Sequence, residues 1–217
     1  MTDPQPQVLV RGRAVLTVAP EIADVRISVS AWAGDRQAAL ERCTARQAEV
    51  DRVVAAAGEA VEAVETTGIS VSLNWRDHQR EAEPYASVQT RVRLGDLDAV
   101  GDLVTGLGAL DGVEVHGPSW GLRPGSPAYE RARLAAVEDA VHRARTYAAA
   151  FGARLTALLQ VADDGLSGTG PEPVVAEMLA AAGDTAGPVL APGRQEVHGA
   201  VEIRFAMSAP HPTVFPG

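Results

Sequence analysis

Gly117-Pro118-Ser119-Trp120-Gly121 has the spacing G-x-S-x-G. In hydrolases that spacing marks a serine held on a strained turn between a strand and a helix, where its hydroxyl becomes an acyl-transfer nucleophile. The chemistry needs the helix to start at once after the turn. Here Leu122-Arg123-Pro124-Gly125 intervenes, and Pro118 sits inside the motif. Ser119 therefore reads as a strand residue before a turn, and serine hydrolysis is the weakest of the functional readings. Cys43, the single cysteine, lies on the apolar side of a predicted helix between Leu40 and Gln47, which suits a buried small side chain. A redox thiol would need exposure and a lowered pKa. His78, His116, His142, His198 and His211 are scattered, and no His-x-His, Cys-x-x-Cys or His-Glu-x-x-His spacing occurs, so no metal and no cofactor is expected. Trp32, Trp75 and Trp120 are the remaining candidates. They suit the edges of a core, or, in a sharper reading, an aromatic-lined ligand groove.

These residues need a scaffold, and its firmest part is residues 126–152. Ser126 suits an N-cap, Pro127 the first helical position, and Glu130 the positive end of the helix dipole. Leu134, Val137, Val141, Ala144, Ala148 and Phe151 recur at steps of three and four, which predicts one apolar stripe, and Gly152 is a natural stop. A helix of about 25 residues is about 38 Å long. Its alanines permit close approach to a flat partner, which is expected to be a sheet. Leu155, Ala157, Leu159 and Val161 then alternate as a strand.

The other elements follow from the same periods. Residues 8–31 read as one long strand, or two broken near Pro20. A helix carries Leu40, Cys43, Gln47, Val50, Val54 and Ala57, and Gly58 closes it. A strand from Val64 to Trp75 places Ile69, Val71, Leu73 and Trp75 on one face. After a polar connection, Ala86, Val88, Thr90, Val92 and Leu94 alternate with Ser87, Gln89, Arg91 and Arg93. A short helix opened by Gly95-Asp96 carries Leu97, Val100, Val104 and Leu107, and a strand runs from Val113 to Leu122. The last strand turns Val197, Val201, Ile203, Phe205 and Met207 inward. The order is strand, helix, two strands, helix, strand, long helix, two strands. That predicts an α+β fold with a mainly antiparallel or mixed sheet and amphipathic helices on one face. Residues 1–7 and 209–217 read as loose tails around a domain at 8–208, within which 163–194 is a flexible insertion rich in Gly, Ala and Pro.

Composition narrows the function classes. The 217 residues carry a net charge of −9 and no basic cluster with interleaved aromatics, which argues against nucleic acid and against an anionic membrane surface. No apolar run reaches the roughly 20 residues of a membrane span. Residues 1–7 show neither a basic n-region nor an apolar h-region, which points to the cytoplasm.

Several short motifs, in order, resemble the SIMPL-domain family, a domain of unknown function that includes a bacterial periplasmic immunogenic protein. They are Val10-Arg11-Gly12-Arg13-Ala14, Val18-Ala19-Pro20-Glu21-Ile22-Ala23, Ala38-Ala39-Leu40, Glu65-Thr66-Thr67-Gly68-Ile69-Ser70-Val71, Leu97-Asp98-Ala99-Val100-Gly101-Asp102-Leu103, and the alanine-and-glycine-spaced helix of residues 128–153. The chain departs from the family in having Pro20-Glu21 for Pro-Asp and Pro84-Tyr85 for Gly-Tyr, and residues 1–7 do not read as the signal peptide that many members carry. The resemblance implies an α+β fold and, for some members, ring-like oligomers and a link to oxidative or envelope stress. It implies no catalytic residues. The leading expectation is thus a non-enzymatic, self-associating scaffold or interaction protein linked to stress. The alternative is a small-ligand binder using the tryptophans, with residues 163–194 as a lid.

Overall fold

Pro20 divides residues 8–31 into two strands that join different sheets. The computed structural model describes residues 5–75, 82–163 and 191–211. Strand β1 (Gln7–Val18) and strand β2 (Ile22–Trp32) flank the proline, which has no N–H to give to a ladder. The α+β class expected from the sequence holds, but the strands build two antiparallel sheets rather than one, in two compact units.

The first unit joins β1, α3 (Pro127–Ala150), β6 (Leu155–Asp163) and β7 (Gln195–Met207), with strand order β1-β7-β6. The N–H of Met207 donates to the Pro6 carbonyl at 2.8 Å, and Arg11 pairs with Glu202, so β1 and β7 run in opposite directions. The Ser126 hydroxyl caps α3 by accepting from the Ala128 N–H at 3.2 Å, and Gly152 ends it with φ +62°.

The seam of α3 keeps Ala144 and Ala148 of the predicted stripe, with Val137 and Val141 half-buried beside it, but not Leu134 or Phe151. Its buried residues are Ala128, Ala132, Ala136, Ala140, Ala144 and Ala148, while Leu134 is 57% exposed and Phe151 also faces outward. The reason lies in the strands. A Cβ on Gly12 of β1 would collide with the Ala136 carbonyl oxygen, and one on Gly199 of β7 with the Ala132 carbonyl oxygen. Backbone meets backbone there, so nothing larger than alanine fits on the helix side. A repeat of four advances about 40° per step on a helix of 3.6 residues per turn, so the seam winds as a twisted sheet does. The inward residues of β7 (Val197, Val201, Ile203, Phe205 and Met207) are buried as predicted. Strand β6 is not buried as its alternation suggested: it is an edge strand with two register shifts, and Leu158, Leu159 and Val161 are exposed.

The second unit runs β2, α1 (Arg36–Ala56), β3 (Val61–Trp75), β4 (Ala82–Leu94), α2 (Val100–Gly108) and β5 (Val113–Gly121). Its strand order, β3-β4-β2-β5, is antiparallel throughout. A β-α-β-β-α-β path with this order is the ferredoxin-like arrangement. Asp35 caps α1 through the Ala38 N–H at 2.8 Å, and Gly58 at φ +56° follows its end. The α1 seam is Ala39, Cys43, Val50 and Val54, with Leu40 turned outward, and α2 buries Val100, Leu103 and Leu107. Both pack on Val25, Ile27, Val29, Val92 and Leu94. No described helix is long and apolar enough to cross a membrane.

Candidate functional site

The sequence candidates are placed apart. Ser119 lies within β5, exposed and opposite Asp24 of β2, and α3 does not begin until Pro127. The Gly117–Pro118 peptide is cis, beside the register shift between Asp24 and Arg26. Trp32 ends β2 on the helix-free face of the second unit, tilted against Tyr85 with ring centroids 4.6 Å apart. Trp120 packs on that unit's core from β5, and Trp75 stands at the end of β3, 69% exposed. The three indoles therefore line no common groove. The proposed lid, residues 163–194, lies almost wholly outside the described residues. Cys43 is buried, and its thiol reaches the Val29 carbonyl at 3.6 Å. Burial pushes its pKa up, with the Arg46 charge and a backbone hydrogen bond pulling part of the way back. Among the described residues no group of three or more His, Cys, Asp or Glu side chains is placed to hold a metal ion. An open cleft of about 470 Å³ at the start of α3 is bordered by Ser126, Tyr129, Glu130 and Arg133, and its one hydroxyl from serine is already engaged in the helix cap.

What the fold exposes instead is strand edges, and the edges differ. On β1 the Arg13 N–H donates to Asp139 of α3 at 3.0 Å, and the Arg11 carbonyl accepts from Arg143 of α3 at 2.6 Å, so side chains of the helix occupy backbone groups of the strand. Strand β5 is interrupted by Gly117 and cis-Pro118. Proline and irregularity both discourage further pairing. Strands β3 and β6 contain no proline; β6 carries its two register shifts, whereas β3, shifted against β4 near Val61 and Thr66, pairs without a shift from Gly68 to Trp75. Thr66 to Trp75 of β3 and Leu155 to Ala162 of β6 contain no charged residue. On the helix-bearing side of β3, Val64, Ile69, Val71, Leu73 and Trp75 form an exposed apolar row, because α1 lies over β2 and β4 and leaves the edge strand bare. The sequence placed Ile69, Val71, Leu73 and Trp75 on one face, and the register shift between Thr66 and Gly68 brings Val64 to the same side. It could not show that no described element covers the face, since an alternating pattern looks the same whether a helix or a partner completes it.

The helix-free face of the same sheet is polar and laced by ion pairs. Arg93 makes two hydrogen bonds to Asp24, Nε to Oδ1 at 3.0 Å and Nη2 to Oδ2 at 3.1 Å, which push the guanidinium pKa further up. Arg91 lies 3.7 Å from Glu65. Arg123 joins Glu62 by its guanidinium and Glu21 by its backbone N–H at 3.1 Å, and the bond to Glu62 raises its pKa too. Glu21, which stands where the family pattern has aspartate, thus ties β2 to the end of β5.

Known proteins resemble the chain at two levels. Two solved structures from Burkholderia align weakly. A hydantoinase/carbamoylase family amidase from Burkholderia ambifaria is 19% identical over 46% of this chain and 28% of its own, with a TM-score of 0.25. A putative amidohydrolase/peptidase from Burkholderia cenocepacia is 15% identical over 63% of this chain and 36% of its own, also at 0.25. The chain spans about a third of the length of those structures, and likeness at this level carries no functional argument. No curated protein matches. The SIMPL family, described as a protein of unknown function (DUF541), matches residues 8–205, and with nearly the whole chain covered this protein belongs to that family.

Proposed function

We propose that this protein is a non-enzymatic assembly protein whose copies join through open strand edges, β3 foremost. The observation that carries the reading is the contrast between edges: β1 is bound by α3 and β5 is broken by proline, whereas β3 runs without a register shift from Gly68 to Trp75 as an uncharged, apolar outer stretch. A long, bare, apolar edge is a template for another strand. A second copy is the occupant favoured by charge. Like charges directly opposite destabilise a strand pair, and residues 66–75 bring none to a symmetric pairing. A second uncharged edge, the shorter and register-shifted β6, is also present, so the symmetry of pairing sets the size of the assembly. Matched edges, β3 on β3, give two-fold dimers, and unlike edges, β3 on β6, give rings or filaments.

Light scattering across a concentration series tests this. Wild type is expected to associate, and Val71→Lys to be monomeric at the same concentrations. If Leu158→Lys on β6 is also monomeric, unlike edges pair; if it stays dimeric, β3 pairs with itself. A wild type that remains monomeric at every concentration removes the proposal.

A further inference from the structure

Arg26 stands in the middle of the helix-free face of the four-stranded sheet, on the inner strand β2. Directly opposite it are Arg91 on β4 and His116 on β5, so two guanidinium groups and an imidazole form one row across three strands. Every acid that faces this row is already engaged. Asp24 holds Arg93 with both carboxylate oxygens, Glu65 lies 3.7 Å from Arg91, and Glu114 lies 3.7 Å from His116. The side chain of Arg26 is exposed and makes no hydrogen bond or ion pair among the described residues. Like charges directly opposite each other cost stability in an antiparallel pair. The fold therefore holds an unmatched cation against another where a neutral residue would cost less.

We propose that this row binds the phosphate group of a small organic phosphate, with Arg26 as the principal ligand and Arg91 as its partner. Two guanidinium forks on adjacent strands, with Cβ atoms about 5 Å apart, are within reach of one oxyanion once Arg91 turns from its 3.7 Å contact with Glu65, and a planar fork matches phosphate oxygens two at a time. Ser28 and Gln89, the next directly opposed pair on the same face, add neutral donors beside the charges. The chain's net charge of −9 disfavours a long polyanion, whose many phosphates would meet the acidic remainder of the surface, and costs a ligand with a single phosphate far less. The proposal does not depend on strand-edge assembly.

The test uses the full chain in a low-salt zwitterionic buffer, with glycerol phosphate as the probe, by calorimetric titration and thermal unfolding. Wild type is expected to bind saturably and to gain Tm, beyond what sodium chloride gives at matched ionic strength. Arg26→Gln is expected to bind about tenfold more weakly, the scale of losing one charge-assisted hydrogen bond. Without the probe, its Tm should equal or exceed that of wild type, because the opposed charge is gone. A purely structural arginine would move Tm the other way. Asp24→Asn, which removes the nearest carboxylate and releases Arg93, is expected to tighten binding. The proposal is overturned if glycerol phosphate gives no saturable signal, if Arg26→Gln binds as wild type does, or if a single-stranded oligonucleotide binds more tightly than the probe.

Discussion

Asp24 on β2 and Arg93 on β4 sit directly opposite each other and share two nearly parallel hydrogen bonds at 3.0 and 3.1 Å. Both side chains are partly open to solvent, so the pair is worth less than a buried one. We predict that Asp24→Asn lowers the unfolding free energy by about 1 kcal/mol. Urea titration of the single variants and of the double variant with Arg93→Gln measures the coupling, which should account for most of that loss.

The close approach of α3 to its sheet is the most stringent packing requirement in the first unit. Gly12→Ala and Gly199→Ala place a methyl group into the carbonyls of Ala136 and Ala132. Each is expected to cost about 2 kcal/mol or more, since backbone must move rather than a side chain rotate. Gly34→Ala is the control: a Cβ there meets nothing within 4 Å, and its effect should stay within about 0.5 kcal/mol. Thermal unfolding distinguishes them.

Burial of Cys43 makes a pH prediction of definite sign. The folded thiol is raised above its ordinary value of 9.0, so above that pH the unfolded chain loses its proton while the folded chain keeps it. The folded state then binds more protons, and stability falls as pH rises above 9.0, by at most about 1.4 kcal/mol per pH unit. Denaturation midpoints measured on both sides of that pH should show the decline in wild type and lose this component in Cys43→Ala. In the native protein a thiol-specific reagent should label Cys43 only as fast as the unit opens.

The exposed row on β3 should be separable from the core it neighbours. Ile69 is 69% exposed, so Ile69→Lys is expected to change the stability of the fold by no more than about 0.5 kcal/mol while abolishing association. Ile27, at 1% exposure on the adjoining sheet interior, should cost about 2–5 kcal/mol as Ile27→Ala. Equal losses from the two substitutions would mean that the β3 row is covered in the folded protein.

Much of this architecture could be read from the residues alone, because it depends on local periods. Alternation on β4 separated Val88, Thr90, Val92 and Leu94 from Gln89, Arg91 and Arg93, and the sheet keeps that division. Ser126 and Gly152 bounded the long helix, since caps act on their own first or last turn. The family likeness was legible for the same reason, as its motifs mark element ends and close contacts. Tertiary structure decided the rest. Pro20 signalled a break, but only long-range pairing sent β1 and β2 into separate sheets. The approach of Gly12 and Gly199 selected alanines over Leu134 as the seam of α3, which no hydropathy period could rank. Position at a sheet edge left Val71 and Leu158 bare, and cross-strand register set Arg26 against Arg91, residues 65 positions apart in the chain. Periodicity reports which way a side chain points; only the folded chain determines what, if anything, stands in front of it.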